Sequence, residues 1–246
     1  MVENRRALAR IGRRMQLLAG TSGFSYTEWR GTFYDERLPE AKMLEAYSQK
    51  LPTVEINNTF YRTPQPSLFE NWRGKVGDGF TFALKAPRRI THISKLKNVA
   101  EPVKYLVDAA RLLGNKLGPT LFQLPPTFRK DVALLSDLCA VWPKELRAAL
   151  EFRHASWFSD DVYAVLEGAG MALCGSEVDD DEGPSSPFVR TAAFTYVRLR
   201  RMEYTPELLQ AALKKIDALG VEQAYVYFKH EVKGPAYAQD FIAMHS

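Results

Sequence analysis

The feature that most constrains the fold of this chain is an alternation between short strand-like runs and helical patterns along nearly its whole length. Eight runs have the length and the apolar, β-branched or aromatic content of strands. They are Leu17–Ser22, Thr53–Asn57, Phe80–Lys85, Thr120–Leu124, Ala148–Arg153, Met171–Gly175, Phe194–Arg200 and Ala224–Lys229. Helical patterns fill most of the gaps, at Glu40–Lys50, Ser67–Arg73, Pro102–Leu113, Asp131–Val141, Asp160–Glu167 and Pro206–Leu219. Strands that alternate with helices in this way predict a parallel sheet.

Eight strands with intervening helices favour an α/β fold, a single closed (β/α)8 TIM barrel, and a chain of 246 residues suits that fold. The sixth helix is the exception. The segment Ser176–Val189 is acidic and then rich in proline and serine, so we expect a loop in its place. An open, doubly wound sheet is the alternative, but no strand is followed by the glycine-rich phosphate loops typical of nucleotide-binding sheets.

Residues 1–14 form a basic segment that lacks the periodicity of the rest of the chain. Its five arginines are Arg5, Arg6, Arg10, Arg13 and Arg14. We expect a disordered extension, with the barrel domain formed by residues 15–246 and Met15 as an alternative start of translation. A basic tail is also compatible with a nucleic-acid contact or a targeting peptide.

The composition is that of a folded, soluble protein without a membrane span. Hydrophobic residues make up 46% of the chain, and no apolar run approaches the roughly 20 residues that cross a bilayer. Cys139 and Cys174 fit no metal-ligand spacing, and no secretory signal precedes them. We therefore expect reduced thiols in a cytoplasmic protein. The net charge of +4 leaves room for an anionic ligand without requiring one.

Polar residues inside several predicted strands indicate where the barrel carries its function. Because strand side chains alternate between two faces, Val54 and Ile56 share one face while Glu55 and Asn57 share the other. If the apolar face packs against the helices, the polar face points into the barrel, whose active sites lie at the carboxyl ends of the strands. The same alternation places further polar residues inward, namely Lys85, Gln123, Glu151, Arg153, Arg198, Arg200, Tyr225, Tyr227 and Lys229.

Cations outnumber carboxylates among these inward residues. The five cations are Lys85, Arg153, Arg198, Arg200 and Lys229, and the two carboxylates are Glu55 and Glu151. Charges in a partly dry cavity are costly unless they pair with one another or with a ligand. The surplus of cations predicts a small anionic ligand, for example a phosphorylated or carboxylated sugar.

Three residues are candidates for catalysis by acid/base chemistry. Glu55 and Glu151 lie on different strands and could work as a carboxylate pair, whereas the alternative is that each forms a salt bridge with an inward cation. His154 follows the inward Arg153 in a loop, where a proton-transfer histidine belongs, although such a histidine is more often only solvated. Since cations flank every potential ligand and no HxH or HExxH pair occurs, we expect no metal and no other cofactor.

The remaining candidates are expected to bind the substrate. They include small or polar residues at strand ends and aromatic residues in the following loops, which suit sugar or base stacking. The set is Ser22, Tyr26, Trp29, Asn57, Tyr61, Lys85, His92, Gln123, Arg153, Arg198, Tyr227 and Lys229. Loop aromatics can instead cover the top of a barrel as a small core, and we favour that interpretation for Phe60 and Trp157.

Several segments together resemble the YecE-like family, TIM-barrel proteins named as domain of unknown function 72. They are GTSGFSYTEWRGTFY from Gly20, VEINNTFYRTP from Val54, FALKAPRRITH from Phe82, LFQLPPTF from Leu121 and EFRHASWF from Glu151. The resemblance implies the same barrel but brings no established reaction. It weakens after Phe158, where YVRLRRMEY carries Arg200 in place of a histidine and YVYFKHE replaces a segment like YVYFNND.

Two classes of function are favoured over a third. The first is an enzyme that acts on a small anionic substrate by metal-independent acid/base chemistry, as an isomerase or a hydrolase. The second is a nucleic-acid-binding protein, with or without nuclease activity. Nucleic acid needs a continuous basic track outside the cavity, and acids are interleaved with bases there, as in SEVDDDEG, which favours the first class. A non-catalytic sensor is the third possibility.

Overall fold

The computed structural model describes residues 14–61, 64–179 and 185–245. The expected basic extension, apart from Arg14, lies outside the described residues. Eight parallel strands close into a barrel in the order in which they occur along the chain, and the last strand pairs with the first. The strands are β1 (Gln16–Ser22), β2 (Thr53–Ile56), β3 (Thr81–Lys85), β4 (Leu117–Gln123), β5 (Ala148–Glu151), β6 (Ala172–Glu177), β7 (Phe194–Leu199) and β8 (Gln223–Phe228). The TIM-barrel prediction is therefore confirmed.

Helices connect most of the strands and cover the outside of the barrel. They are α1 (Glu40–Ser48), α2 (Asn58–Tyr61), α3 (Pro66–Lys75), α4 (Ala100–Ala110), α5 (Val132–Val141), α6 (Asp160–Ala169), α7 (Pro206–Asp217) and α8 (Gly234–His245). Shorter turns of helix lie at Thr27–Trp29, Arg89–Ile93, Arg111–Lys116 and Ala155–Trp157. In the segment between β6 and β7, the described residues contain no helix, as the sequence predicts.

The helix α8 was not expected from the sequence. It follows β8 and buries Tyr237, Ala238 and Phe241 against the outer face of the barrel. The ring nitrogen Nε2 of His245, at its end, lies 2.9 Å from the carbonyl oxygen of Met15. The chain therefore returns to the entrance of β1 and covers the seam between the first and last strands.

The alternation of side chains matches the expected one. Val54 and Ile56 belong to the core between strands and helices, while Glu55 is fully buried inside the barrel. The inner core consists mainly of small apolar residues and tyrosines, which are Leu18, Ala83, Leu121, Ala149, Ala172, Cys174, Phe194, Tyr196, Tyr225 and Tyr227. This apolar filling leaves the charged residues in a layer nearer the carboxyl ends of the strands.

Among the described residues, no helix combines the length and the apolar character that a membrane crossing requires.

Candidate functional site

A cavity of about 520 Å³ opens at the carboxyl ends of the strands, and we call it the mouth. Its lining residues are Ser22, Tyr26, Asn57, Phe60, Tyr61, Lys85, Gln123, Arg153, Arg198, Arg200 and Lys229. They follow or end seven of the eight strands, because parallel strands bring their carboxyl ends to one end of the barrel. The structure thus brings together nine of the candidates from sequence, and adds Phe60 and Arg200.

Beneath the mouth, Arg198 on β7 joins the two inward carboxylates. Its Nη2 lies 2.9 Å from Oε1 of Glu55 on β2, and its Nη1 lies 2.8 Å from Oε2 of Glu151 on β5. All three side chains are at most 3% exposed. We call Glu55, Glu151 and Arg198 the floor triad. Its geometry matches the salt-bridge alternative considered for both carboxylates.

Neighbouring polar groups hold Glu55 in place. Ser22 Oγ donates to Glu55 Oε1 at 2.5 Å, and Tyr196 O–H donates to Oε2 at 2.7 Å. Asn57 Nδ2 donates to Ser22 Oγ at 2.8 Å and therefore orients the serine. Tyr196 was missed as a site residue, although the alternation with Val197 places it inward.

Glu151 has its own set of partners. Gln123 Nε2 donates to Oε2 at 2.8 Å, and Arg200 Nη2 lies 3.8 Å from Oε1. Burial would raise the pKa of Glu151, but the guanidiniums of Arg198 and Arg200 outweigh it and lower the pKa to about 2. Glu151 is therefore ionised near neutral pH and cannot act as a general acid there.

Glu55 is ionised for the same reason. Burial opposes the charge, yet Arg198 and the hydrogen bonds from Ser22 and Tyr196 lower its pKa below the ordinary value for a glutamate. Neither carboxylate lines the mouth, which is lined instead by the partners that cover them. Their arrangement suits a rigid support for the residues above more than proton transfer to a bound molecule.

Three cations of the mouth differ from Arg198, and we call them the rim cations: Lys85, Arg153 and Lys229. Within the described part of the chain, none of the three lies within 4.0 Å of a carboxylate oxygen, the distance that defines an ion pair. The Lys85 ammonium instead lies 4.3 Å from the centre of the Phe60 ring. Among the described residues, the mouth therefore has three cations without an ion-pair partner.

The chemical state of Lys85 is unusual for a lysine. Burial, together with the positive charge of Arg198, lowers the pKa of Lys85 to about 8. Glu55 and Glu151 act in the opposite direction, and the nearby Lys229 lowers the pKa further. Lys85 thus exchanges its proton close to neutral pH, a property that composition and strand alternation do not reveal.

The structure places two expected ligand-binding residues away from the mouth surface. Trp29 is fully buried, and its Nε1 donates to the carbonyl oxygen of Glu231 at 2.6 Å. Its ring packs 4.7 Å from that of Tyr26, which does line the mouth. Tyr227 is also fully buried, within the inner core, and its hydroxyl is 2.8 Å from Thr53 Oγ1. Both residues are therefore buried beneath the lining of the mouth and do not form part of its surface.

The two candidate histidines also lie outside the lining. His92 packs against the Phe60 ring, with ring centres 4.9 Å apart, and burial and the positive charge of Lys85 lower its pKa. Nδ1 of His154 accepts a hydrogen bond from the backbone N–H of Ser156 at 3.1 Å and caps the short helix that follows. His154 therefore has a local structural partner, and its part in catalysis stays a prediction.

A second depression, which we call the side cleft, lies beside the mouth and shares Tyr61 with it. Its lining consists of Tyr61, Pro87, Arg89, Ile90, Glu101, Pro102 and Tyr105. Tyr61 and Tyr105 are 73% and 58% exposed, so flat rings are presented to solvent next to the mouth.

Within the described ranges, no group of three or more His, Cys, Asp or Glu side chains is arranged to hold a metal ion. Glu55 and Glu151 are engaged by Arg198, and His92 and His154 lie outside the lining. The charged side chains that line the mouth are all cationic, and such groups do not coordinate a metal ion.

The fold and the site define a (β/α)8 barrel with a cationic mouth at the carboxyl ends of its strands. The chain belongs to the family described as protein of unknown function DUF72, which matches residues 18–246. The resemblance found in the sequence is therefore confirmed.

One curated relative and two solved structures are similar to this chain. UPF0759 protein YunF of Bacillus subtilis (strain 168) is 31% identical over 141 residues, which are 54% of this chain and 50% of YunF. The match thus spans about half the length of that relative. A crystal structure of a DUF72 family protein from Thermotoga maritima has a TM-score of 0.83 and 26% identity, covering 93% of this chain and 98% of that one. A crystal structure of a DUF72 family protein from Enterococcus faecalis has a TM-score of 0.75 and 17% identity, covering 94% of this chain and 98% of that one.

Proposed function

We propose that the protein binds a small anionic ligand in the mouth, phosphorylated or carboxylated and sugar-like. The observation that carries the proposal is the set of three rim cations that line one cavity without a carboxylate partner among the described residues. Like charges in a partly dry cavity repel one another, so an anion that reaches them gains both attraction and relief of repulsion.

The size and lining of the mouth support a small molecule. A volume of about 520 Å³ falls within the range typical of ligand cavities. Tyr26, Phe60 and Tyr61 supply flat faces, which suit the apolar side of a sugar ring. Asn57, Gln123 and Ser22 supply neutral hydrogen-bonding groups beside the cations.

Acid/base chemistry on the bound anion, without a metal, is part of the proposal. The floor triad supports it only indirectly, because its carboxylates are ionised and engaged with Arg198. Lys85, on the rim, gains and loses a proton closer to neutral pH than the floor carboxylates do, so it suits proton transfer to a ligand in the mouth better.

Single-stranded nucleic acid is the second candidate, and the side cleft is the observation that favours it. Exposed Tyr61 and Tyr105 could stack bases while Arg89 and the rim cations contact phosphates. The small-ligand proposal ranks first because the uncompensated charge is concentrated inside one cavity.

The test is a thermal-shift series with inorganic phosphate against chloride at matched ionic strength. We expect phosphate to raise the Tm, and Arg153→Met to abolish that increase while the protein stays folded. The matched control is Arg147→Met, because Arg147 precedes β5 at the opposite end of the barrel whereas Arg153 follows it. Arg147→Met should keep the phosphate effect.

Two outcomes would count against the proposal. If phosphate and chloride act alike on the unaltered protein, the mouth holds no anion. If Arg153→Met leaves the phosphate effect intact, the anion binds elsewhere. A short oligothymidylate added in the same series separates the candidates, since stabilisation by oligothymidylate but not by phosphate would favour nucleic acid.

A further inference from the structure

We propose that Lys85 is the nucleophile of the mouth and forms an imine with the carbonyl carbon of an anionic aldehyde or ketone. The inference rests on the proposed function, because the anionic group of the substrate is what Arg153 and Lys229 would hold. It adds the reactive group, the type of bond formed and the substrate class.

The position of Lys85 suits this role. It is the last residue of β3 and lines the mouth, so its amine meets whatever enters the cavity. The Phe60 ring covers one side of the ammonium at 4.3 Å. Among the described residues, no carboxylate within 4.0 Å and no hydrogen-bond acceptor engages the Nζ atom. The amine is therefore both accessible and uncommitted.

The charges that face Lys85 disfavour its protonated form. Arg198 on β7 approaches from the floor, and Lys229 lies beyond the end of β8. His92 interacts with Lys85 from the turn of helix Arg89–Ile93 that follows β3. Glu55 and Glu151 favour the ammonium, but both are already bound to Arg198. The site thus combines burial with neighbouring cations, the two means by which proteins prepare a nucleophilic lysine.

The pKa of about 8 agrees with this geometry. At about pH 7, roughly a tenth of Lys85 side chains then carry a neutral amine, whereas an ordinary lysine is neutral in fewer than about one molecule in a thousand. The availability of the nucleophile therefore rises by about two orders of magnitude over that of a surface lysine.

Other potential nucleophiles are less suitable. Cys174 is fully buried in the inner core, and burial raises its pKa. Cys139 lies in α5, where burial raises its pKa to about 11. Ser22 lines the mouth, but its hydroxyl donates to Glu55, a carboxylate whose lowered pKa makes it a weak base. Lys85 is the remaining nucleophile with an available lone pair among these lining and buried groups.

The step needs no oxidant or reductant. The lone pair of neutral Nζ forms a C–N bond with the carbonyl carbon, and the π electrons of the carbonyl move to its oxygen, which takes up a proton. Nitrogen then loses a proton to give the carbinolamine. Protonation of the hydroxyl and departure of water leave the protonated imine, so that water is the single by-product.

Reductive trapping tests the proposal. The full chain is incubated with dihydroxyacetone phosphate and sodium cyanoborohydride, and intact mass followed by peptide mapping locates the stable secondary amine. We expect one adduct on Lys85, about tenfold faster labelling at about pH 9 than at about pH 7, and competition by inorganic phosphate. Neutral dihydroxyacetone should label Lys85 more slowly, because it lacks the anionic group.

Two variants complete the test. Lys85→Met should abolish the single-site adduct, whereas Lys214→Met, at an exposed position of α7, should leave it unchanged. A circular dichroism melt of Lys85→Met establishes that it is folded. Labelling distributed over surface lysines, or persisting at the same rate in Lys85→Met, would overturn the imine.

The outcome for the imine is separable from that for the anion site. If phosphate stabilises the protein but no adduct forms on Lys85, the mouth binds anions and Lys85 is not a nucleophile. If phosphate has no effect and no adduct forms, both proposals fail. An adduct on Lys85 that neutral dihydroxyacetone forms equally fast would contradict the role assigned to Arg153 and Lys229.

Discussion

The charge of Lys85 is unfavourable for the stability of the folded chain. Its side chain is largely buried, it is close to other cations, and Phe60 offers only a ring face in return. Loss of the Lys85 proton, or pairing of its charge with an anion, therefore favours the folded protein. The sign of this effect can be measured.

We expect Lys85→Met to raise the free energy of unfolding at about pH 7 by about 1–3 kcal/mol. The folded chain releases the Lys85 proton near pH 8, whereas the unfolded chain keeps it to about pH 10.4. Between these values the unfolded state binds more protons, so the stability of the unaltered protein rises with pH. The gain from the variant should therefore shrink across that window, as urea unfolding at a series of pH values will show.

The matched variant Lys214→Met removes a charge from an exposed helical position. It should change stability by less than about 0.5 kcal/mol at every pH. A gain from Lys85→Met that is the same at low and high pH would mean that methionine packs better, and that charge is not the cause.

The sequence predicts the polar residues of the mouth but not which of them pair. The alternation of faces around Val54, Ile56 and Val197 was sufficient to place Glu55 and Arg198 inward. Which cation meets which carboxylate depends on the arrangement of β2, β5 and β7 across the barrel, and strand periodicity contains no information on distances between strands. Strand alternation also says nothing about turns such as Thr27–Trp29. The sequence places Trp29 at the mouth, whereas in the structure its ring is buried and packs against that of Tyr26.

At the scale of elements, β1 and β2 approach each other unusually closely at Gly20. A Cβ atom at this position would lie 2.0 Å from the carbonyl oxygen of Thr53. The hydroxyl of Tyr47 bridges the same pair of strands, because it accepts from the backbone N–H of Thr21 and donates to Thr53 O, both at 2.9 Å. Glycine is thus required where strand, strand and helix α1 meet.

Gly20→Ala should lower the free energy of unfolding by about 3 kcal/mol or more, because the added methyl group meets backbone and cannot be accommodated by a side-chain rotation. Gly79→Ala is the control, since a Cβ atom there meets nothing within 4 Å. Denaturant unfolding of both variants measures the difference. Equal stability of the two would show that β1 and β2 can separate at this point without cost.

The strands and most helices are predictable because their apolar residues alternate with polar ones, or recur with the helical period, according to which face is buried. The helix α8 was not, since it begins with Gly234 and Pro235 and has apolar residues on more than one side. Glycine is rare inside helices, although proline is well tolerated in the first turn. The packing of α8 on the outer wall of the barrel stabilises it, and that contact is not visible in a local pattern.

At the scale of the whole molecule, the floor triad connects three strands that are distant in sequence. Arg198 lies 143 residues from Glu55 and 47 from Glu151. Since all three side chains are buried, the triad couples opposite walls of the barrel. The three rim cations take no part in this bridge, whereas Arg198 both belongs to it and lines the mouth.

Arg198→Met should destabilise the protein by about 3–5 kcal/mol, because it leaves two buried carboxylates without their shared guanidinium. Combining it with Glu55→Gln and Glu151→Gln should restore part of the loss, since the uncompensated charges are then removed together. Urea unfolding of the single and triple variants is the measurement. A loss below about 1 kcal/mol in the single variant would show that water or Arg200 replaces Arg198 in this role.

The contact between Tyr26 and Trp29 has an optical consequence. The sequence has four tryptophans, and Trp29, Trp72, Trp142 and Trp157 are all at most 5% exposed. Unfolding should therefore move the emission of every indole towards that of indole in water. Tyr26 lines the mouth and packs 4.7 Å from Trp29, whereas the ring partners of Trp157 are Phe128 and Phe152. A molecule that enters the mouth and moves Tyr26 should thus alter the emission of Trp29 while the other indoles remain in a folded environment, so tryptophan emission would report its binding without unfolding.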